Sequence, residues 1–169
     1  SNGDLFFTDP PYGLADQDKD VEKETPVNGV YKVTPEGLVT LLVDSLTRPN
    51  GIAFMPGEKK FLVANSDPVK AIWYEFELND TDSIISSRIF YNATSNVATE
   101  KGLPDGFKID RNGNMFATGP GGVWIFNKEG KVLGKIKLPE ASANCAFSPD
   151  EKTLYITADM YLLRVRLRK

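Results

Sequence analysis

The chain has 169 residues, 41% of them hydrophobic and 25% charged, with a net charge of −3, the profile of a single soluble globular domain over residues 1–169. No basic stripe marks a nucleic-acid face, and no run approaches the roughly 18 apolar residues of a membrane-spanning helix. Histidine is absent and Cys145 is the only cysteine, which excludes an internal disulfide, Ser-His-Asp and Cys-His machinery, and imidazole or thiolate zinc clusters.

Helical periodicity is nearly absent. Short runs rich in β-branched and aromatic residues alternate with Gly, Pro, Asn and Asp turns, the pattern of an all-β chain. Asp4–Thr8, Gly29–Val33 and Val39–Val43 form the first group of expected strands. Between the first two, residues 14–27 are charged and aperiodic and read as a mobile loop. Gly51–Phe54, Lys60–Asn65, Ala71–Leu78 and Ser87–Tyr91 form a second group. Gly106–Ile109, Asn114–Thr118, Gly122–Phe126 and Val132–Leu138 form a third. Asn144–Phe147, Thr153–Ala158 and Tyr161–Leu167 form a fourth. Turns such as Pro35-Glu36-Gly37, Arg111-Asn112-Gly113 and Lys128-Glu129-Gly130 join neighbouring runs as hairpins. Gly119-Pro120-Gly121-Gly122 lacks the lysine and the following helix of a phosphate loop and reads as a tight turn. Cys145 reads as a small core residue.

Repeats of about 40–50 residues with four strands each are the signature of propeller blades. The units are a partial blade over 1–43, blades over 50–92 and 105–138, and a partial blade over 144–169. A β-sandwich also has short strands and regular turns, but it does not explain the matched starts Pro49-Asn50-Gly51 and Pro104-Asp105-Gly106. Asn50, Asp105 and Asn144 are read as equivalent starts, 55 and 39 residues apart. Two full blades and two partial ones make an incomplete arc, expected to be the C-terminal part of a six-bladed propeller. Side chains at equivalent strand mouths converge on a common axis. With no imidazole or thiolate to offer, a metal there is held by oxygen, which points to calcium, magnesium or manganese.

The motifs Gly3-Asp4-Leu5-Phe6-Phe7-Thr8-Asp9-Pro10-Pro11-Tyr12-Gly13, Arg48-Pro49-Asn50-Gly51, Val63-Ala64-Asn65-Ser66-Asp67, Leu103 to Asp110, Ala117-Thr118-Gly119-Pro120-Gly121-Gly122-Val123-Trp124 and Asn144-Cys145-Ala146-Phe147 occur in the order of a known family. The chain resembles the senescence-marker-protein, gluconolactonase and luciferin-regenerating-enzyme-like family, and is most similar to its microbial-type gluconolactonases. The resemblance implies a six-bladed propeller, a divalent cation in the central channel (calcium first, with zinc, magnesium or manganese as alternatives) and hydrolysis of a sugar lactone. It also implies a four-residue metal shell, of which Asn50 and Asp105 are the last two members. The other two are expected upstream of Ser1, so these 169 residues alone are expected to be inactive.

Lactone hydrolysis adds water to an ester carbonyl through a tetrahedral oxyanion. Asp105 is the candidate metal ligand and general base, and Asn50 the neutral oxygen ligand. A carboxylate at a cation is expected to have a depressed pKa, and so to be a weak base that suffices for an activated ester. Asp9, Tyr12, Asn65 and Ser66 are candidates for the substrate pocket. The alternatives are a non-catalytic propeller that binds a small molecule or protein, with a structural metal, or a related lactonase or organophosphate hydrolase. The expected partner is a small-molecule lactone, not nucleic acid or membrane, with exposed sheet edges available for self-association. The sequence assigns no compartment: the chain reads as soluble, with the cytoplasm, or the periplasm or exterior if an upstream signal was removed, as the alternatives.

Overall fold

A computed structural model describes residues 2–167. It contains fourteen strands in four antiparallel sheets. β1 (Leu5–Asp9), β2 (Gly29–Val33) and β3 (Val39–Val43) form the first sheet. β4 (Pro49–Phe54), β5 (Lys60–Asp67), β6 (Lys70–Leu78) and β7 (Ile84–Asn92) form the second. β8 (Phe107–Ile109), β9 (Met115–Gly119), β10 (Gly122–Phe126) and β11 (Val132–Lys137) form the third. β12 (Ser142–Phe147), β13 (Thr153–Ala158) and β14 (Tyr161–Arg166) form the fourth. Each sheet is a meander in chain order. Arg168 and Lys169, the end of the expected last blade, lie outside the described residues.

The first strands of successive sheets touch one another, β1 to β4, β4 to β8 and β8 to β12. The sheets therefore stand side by side around one axis, as an arc of a propeller. The strand alternation explains how they pack. A strand buried on both faces sends odd and even residues into different cores. On β5, Phe61 and Val63 enter the core shared with the first sheet, where Val30, Val43 and Phe76 meet them. Leu62 and Ala64 enter the core shared with the third sheet, around Trp73, Phe107, Met115 and Phe126. On β9 and β10, Phe116 and Val123 turn the other way, onto Cys145, Leu154 and Ile156 of the fourth sheet. Cys145 is a core residue, as expected, and its Sγ–H points at the Phe116 carbonyl, 3.2 Å away.

The two end sheets have only one packed face. Leu5, Phe7, Val39 and Leu41 are exposed on the first, and Tyr155 and Leu162 on the fourth. The Gly119–Gly122 segment closes the β9–β10 hairpin, as read from the sequence.

One equivalence is corrected. β4 carries an irregularity between Pro49 and Ile52, and β12 carries one between Ser142 and Asn144. Thr118 donates its hydroxyl to the Gly106 carbonyl at 2.7 Å, and Thr157 donates its hydroxyl to the Asn144 carbonyl at 3.3 Å. Asn144 therefore occupies the place of Gly106, and Ala143 the place of Asp105. Asn144 does not face the axis as Asn50 does. Its Oδ1 accepts the backbone N–H of Cys145 at 2.8 Å and the Lys108 ammonium at 3.4 Å.

Candidate functional site

The inner strands approach closely because their mouths carry glycine. A Cβ at Gly51 would overlap the backbone carbonyl oxygen of Asp105, and one at Gly106 would overlap the Asn144 side chain. With no Cβ, each mouth seats against the next, and the residue just before the glycine is left at the axis. Thr8 secures the Asn50 carbonyl with a 2.7 Å hydrogen bond. The Gly106 N–H donates to the Ala143 carbonyl at 2.8 Å.

Asn50 and Asp105 meet at this axis, where the Asn50 amide is near enough to the Asp105 carboxyl to favour its ionised form. Burial pushes the Asp105 carboxyl up to about 6, against the opposing effects of the Gly106 backbone hydrogen bond and the Asn50 amide. The sequence-based expectation of a depressed value belongs to a cation-bound carboxylate; the chain's own groups set the opposite direction. A short 3-10 turn, Pro11–Gly13, carries Tyr12 to the neighbourhood of the pair. The Tyr12 hydroxyl donates to the Ser66 carbonyl at 3.2 Å. Burial raises the Tyr12 pKa, with the nearby Arg48, Asp105 and Asn50 as lesser influences.

Four of the six candidates are thus brought together: Asn50, Asp105, Tyr12 and Ser66. Two are not. Asn65 is fully buried, and its amide is committed to the 47–48 turn. Its Oδ1 accepts the Arg48 N–H at 2.8 Å, and its Nδ2 donates to the Lys70 carbonyl at 2.8 Å and to Thr47 at 3.0 Å. Asp9 faces a separate hollow between the Pro10-Pro11 turn and residues 22–28, where it accepts the Thr25 hydroxyl at 3.3 Å. Arg48 is a site residue that the sequence did not single out. It ties the 14–27 loop to the mouth of β4 through Gln17 and through Asp18 at 3.6 Å, so that loop is held rather than loose.

Beside Asp105 opens a cavity of about 710 Å³, walled by Ser66, Leu103, Ser142, Ala143 and Thr157. Across its rim, Lys101 and Glu140 form a 2.8 Å ion pair. Two hard oxygen side chains at one point suit a calcium- or magnesium-class cation. Among the described residues, no three His, Cys, Asp or Glu side chains gather around a common point, so Asn50 and Asp105 fit such a cation as a partial set. No described helix is long and apolar enough to cross a membrane.

An arc of three- and four-stranded antiparallel sheets standing side by side is the architecture of part of a β-propeller. The chain belongs to the SMP-30/gluconolactonase/LRE-like family, whose profile matches residues 1–159. It is 37% identical over 171 residues to a gluconolactonase of Zymomonas mobilis, covering 99% of this chain and 48% of that protein. The fold superposes on a gluconolactonase of Xanthomonas campestris with a TM-score of 0.84 at 30% identity, over 99% of this chain and 54% of that one. It also superposes on regucalcin of Agrobacterium tumefaciens, described as a calcium-binding protein, with a TM-score of 0.64 at 21% identity, over 91% and 53% of the two chains. The chain spans about half the length of these relatives.

Proposed function

We propose that the complete protein hydrolyses a sugar lactone, and that Asn50 and Asp105 are part of its catalytic centre. The observation that carries this reading is the meeting of Asn50 and Asp105 at equivalent strand mouths, near Tyr12 and beside a cavity. In this reading Asn50 and Asp105 hold a divalent cation with their side-chain oxygens. When bound, the cation supplies Lewis acidity and a fixed positive charge opposite the developing oxyanion.

Asp105 takes the proton of the attacking water as the new C–O bond forms. Burial alone pushes this carboxyl up to about 6, whereas a bound cation draws it down; the weaker base that results suffices because a lactone is an activated ester. The ring C–O bond then breaks, its oxygen takes that proton back from Asp105, and the product leaves as a hydroxy acid. Asn50 places a neutral amide beside Asp105 and favours its ionised form. Tyr12, fixed on Ser66, stands near the pair. The relatives' names support a lactone as the substrate class, and the regucalcin likeness agrees with calcium as the first metal to try.

The test is proton release from D-glucono-δ-lactone by the complete protein, before and after chelation and with calcium, magnesium, manganese or zinc restored. Turnover that vanishes on chelation and returns with one cation supports the reading. A protein that binds the cation yet turns over no lactone is a binding propeller instead.

A further inference from the structure

We propose that the inner edge of the fourth sheet, at Ser142 and Ala143, is the subsite for the hydroxyl-bearing part of the substrate; this rests on the lactone-hydrolysis reading above. The argument begins with the repeat. Aligning the irregularities of β4 and β12 sets Ser142 with Pro49, and Ala143 with Asn50 and Asp105. The fourth sheet therefore puts a methyl group where the second and third sheets put a side-chain oxygen. It cannot add a side-chain ligand at the axis. Instead it leaves room, and the cavity beside Asp105 lies against this same stretch, with Ala141, Ser142 and Ala143 in its wall.

The second observation is independent of the repeat. Ser142 is 3% exposed, and its Oγ is one of three buried side-chain polar atoms among the described residues that have no hydrogen-bond partner. A buried hydroxyl left unpaired is unfavourable, and such exceptions call for an explanation. The other two, Asn28 Oδ1 and Trp73 Nε1, belong to residues outside this cavity's wall. Ser142 is itself part of the cavity wall, so a ligand there is the candidate partner for this hydroxyl. A hydroxyl both donates and accepts, so it suits a sugar hydroxyl, which does the same. Thr157, on the neighbouring strand, adds a second hydroxyl to the same wall. The subsite thus recognises a polyhydroxylated ring or chain, with the ester carbonyl directed to Asp105.

The test uses two lactones and one acid with the complete protein. Ser142→Ala is expected to lower the preference for D-glucono-δ-lactone over δ-valerolactone, as a ratio of kcat/KM, by about tenfold and mainly through KM. Ala143→Leu, which pushes a larger apolar side chain into the cavity wall, is expected to lower the same ratio further. Equal losses on both lactones, or an unchanged ratio in both variants, would overturn the proposal. Binding of D-gluconate, measured by calorimetry, needs no turnover and separates the two readings. If neither lactone is hydrolysed but D-gluconate binds and Ala143→Leu abolishes this, the subsite stands and the hydrolytic reading fails. If D-gluconate binds equally to the parent and both variants, or to none of them, the subsite is refuted.

Discussion

At the scale of single residues, burial is the dominant influence on Asp105. Its carboxyl is pushed up to about 6 from 3.8, so folding favours the protonated form. Between those two values the folded state binds more protons than the unfolded chain, and stability falls as pH rises; above about 6 the loss is complete. Asp105→Asn is therefore expected to stabilise the cation-free protein at pH 7.5 by on the order of 1–2 kcal/mol, after discounting for partial exposure. Denaturant unfolding at pH 4 and 7.5 checks this; a variant that is less stable at pH 7.5 would contradict it. The glycines beside the pair carry the opposite expectation. Gly51→Ala or Gly106→Ala forces the inner strands apart and is expected to cost about 2 kcal/mol, measurable by the same unfolding. Asn50 and Asp105 were legible because each sits between a proline and a glycine. Asn144 misled because its asparagine outweighed its frame. The better guide is the turn that follows: Ala53-Phe54-Met55-Pro56-Gly57-Glu58 matches Ala146-Phe147-Ser148-Pro149-Asp150-Glu151, and Glu58 and Glu151 share a positive φ. That frame sets Ala143 with Asn50. Arg48 carries no such signal, because its side-chain partners, Gln17 and Asp18, lie about thirty residues away in the chain.

At the scale of elements, the hairpins and their order were readable from turn chemistry and alternation. The two-faced burial of β5, β9 and β10 also follows from alternation, since both residue sets are apolar. Strand ends were less legible. β7 starts at Ile84, three residues before the expected Ser87, because pairing with β6 extends it through exposed Ile85 and Ser86. Pairing is a property of the partner strand and leaves little trace in the strand's own residues. The second sheet is further bound by Glu75 of β6, which is 4% exposed. Burial alone raises its carboxyl, but hydrogen bonds from Arg88 at 2.9 Å and Lys60 at 3.1 Å outweigh this and bring the net value below 4.5. A depressed carboxylate stabilises the fold above its unfolded pKa and loses that contribution as pH falls through the folded value. Glu75→Gln is expected to cost about 2 kcal/mol at pH 7, with the gap from the parent closing below pH 4. A gap that persists in acid would mean that packing, not charge, accounts for it.

At the scale of the whole molecule, the blade count and the open arc were legible in the repeat period, because each blade needs its neighbours to bury its faces. What the period does not convey is which axial positions carry chemistry. The second, third and fourth sheets place asparagine, aspartate and alanine at equivalent inner positions, so the side-chain oxygens stand on one side of the arc and a methyl group on the other. The apolar outer faces of the end sheets have a consequence. Leu5, Phe7, Val39 and Leu41 at one end, with Tyr155 and Leu162 at the other, form surfaces of a kind that drives association. The 169-residue chain on its own is expected to self-associate in solution scattering, and a monodisperse monomer would count against this.

The central claim is that Asp105 links cation binding to lactone hydrolysis. It is tested most directly by measuring both properties in the complete protein and in Asp105→Asn. Calcium affinity by calorimetry and kcat on D-glucono-δ-lactone are expected to fall together, kcat by about 10²–10³-fold at saturating cation. Unchanged turnover in Asp105→Asn, or turnover in the parent that survives complete chelation, would contradict the account.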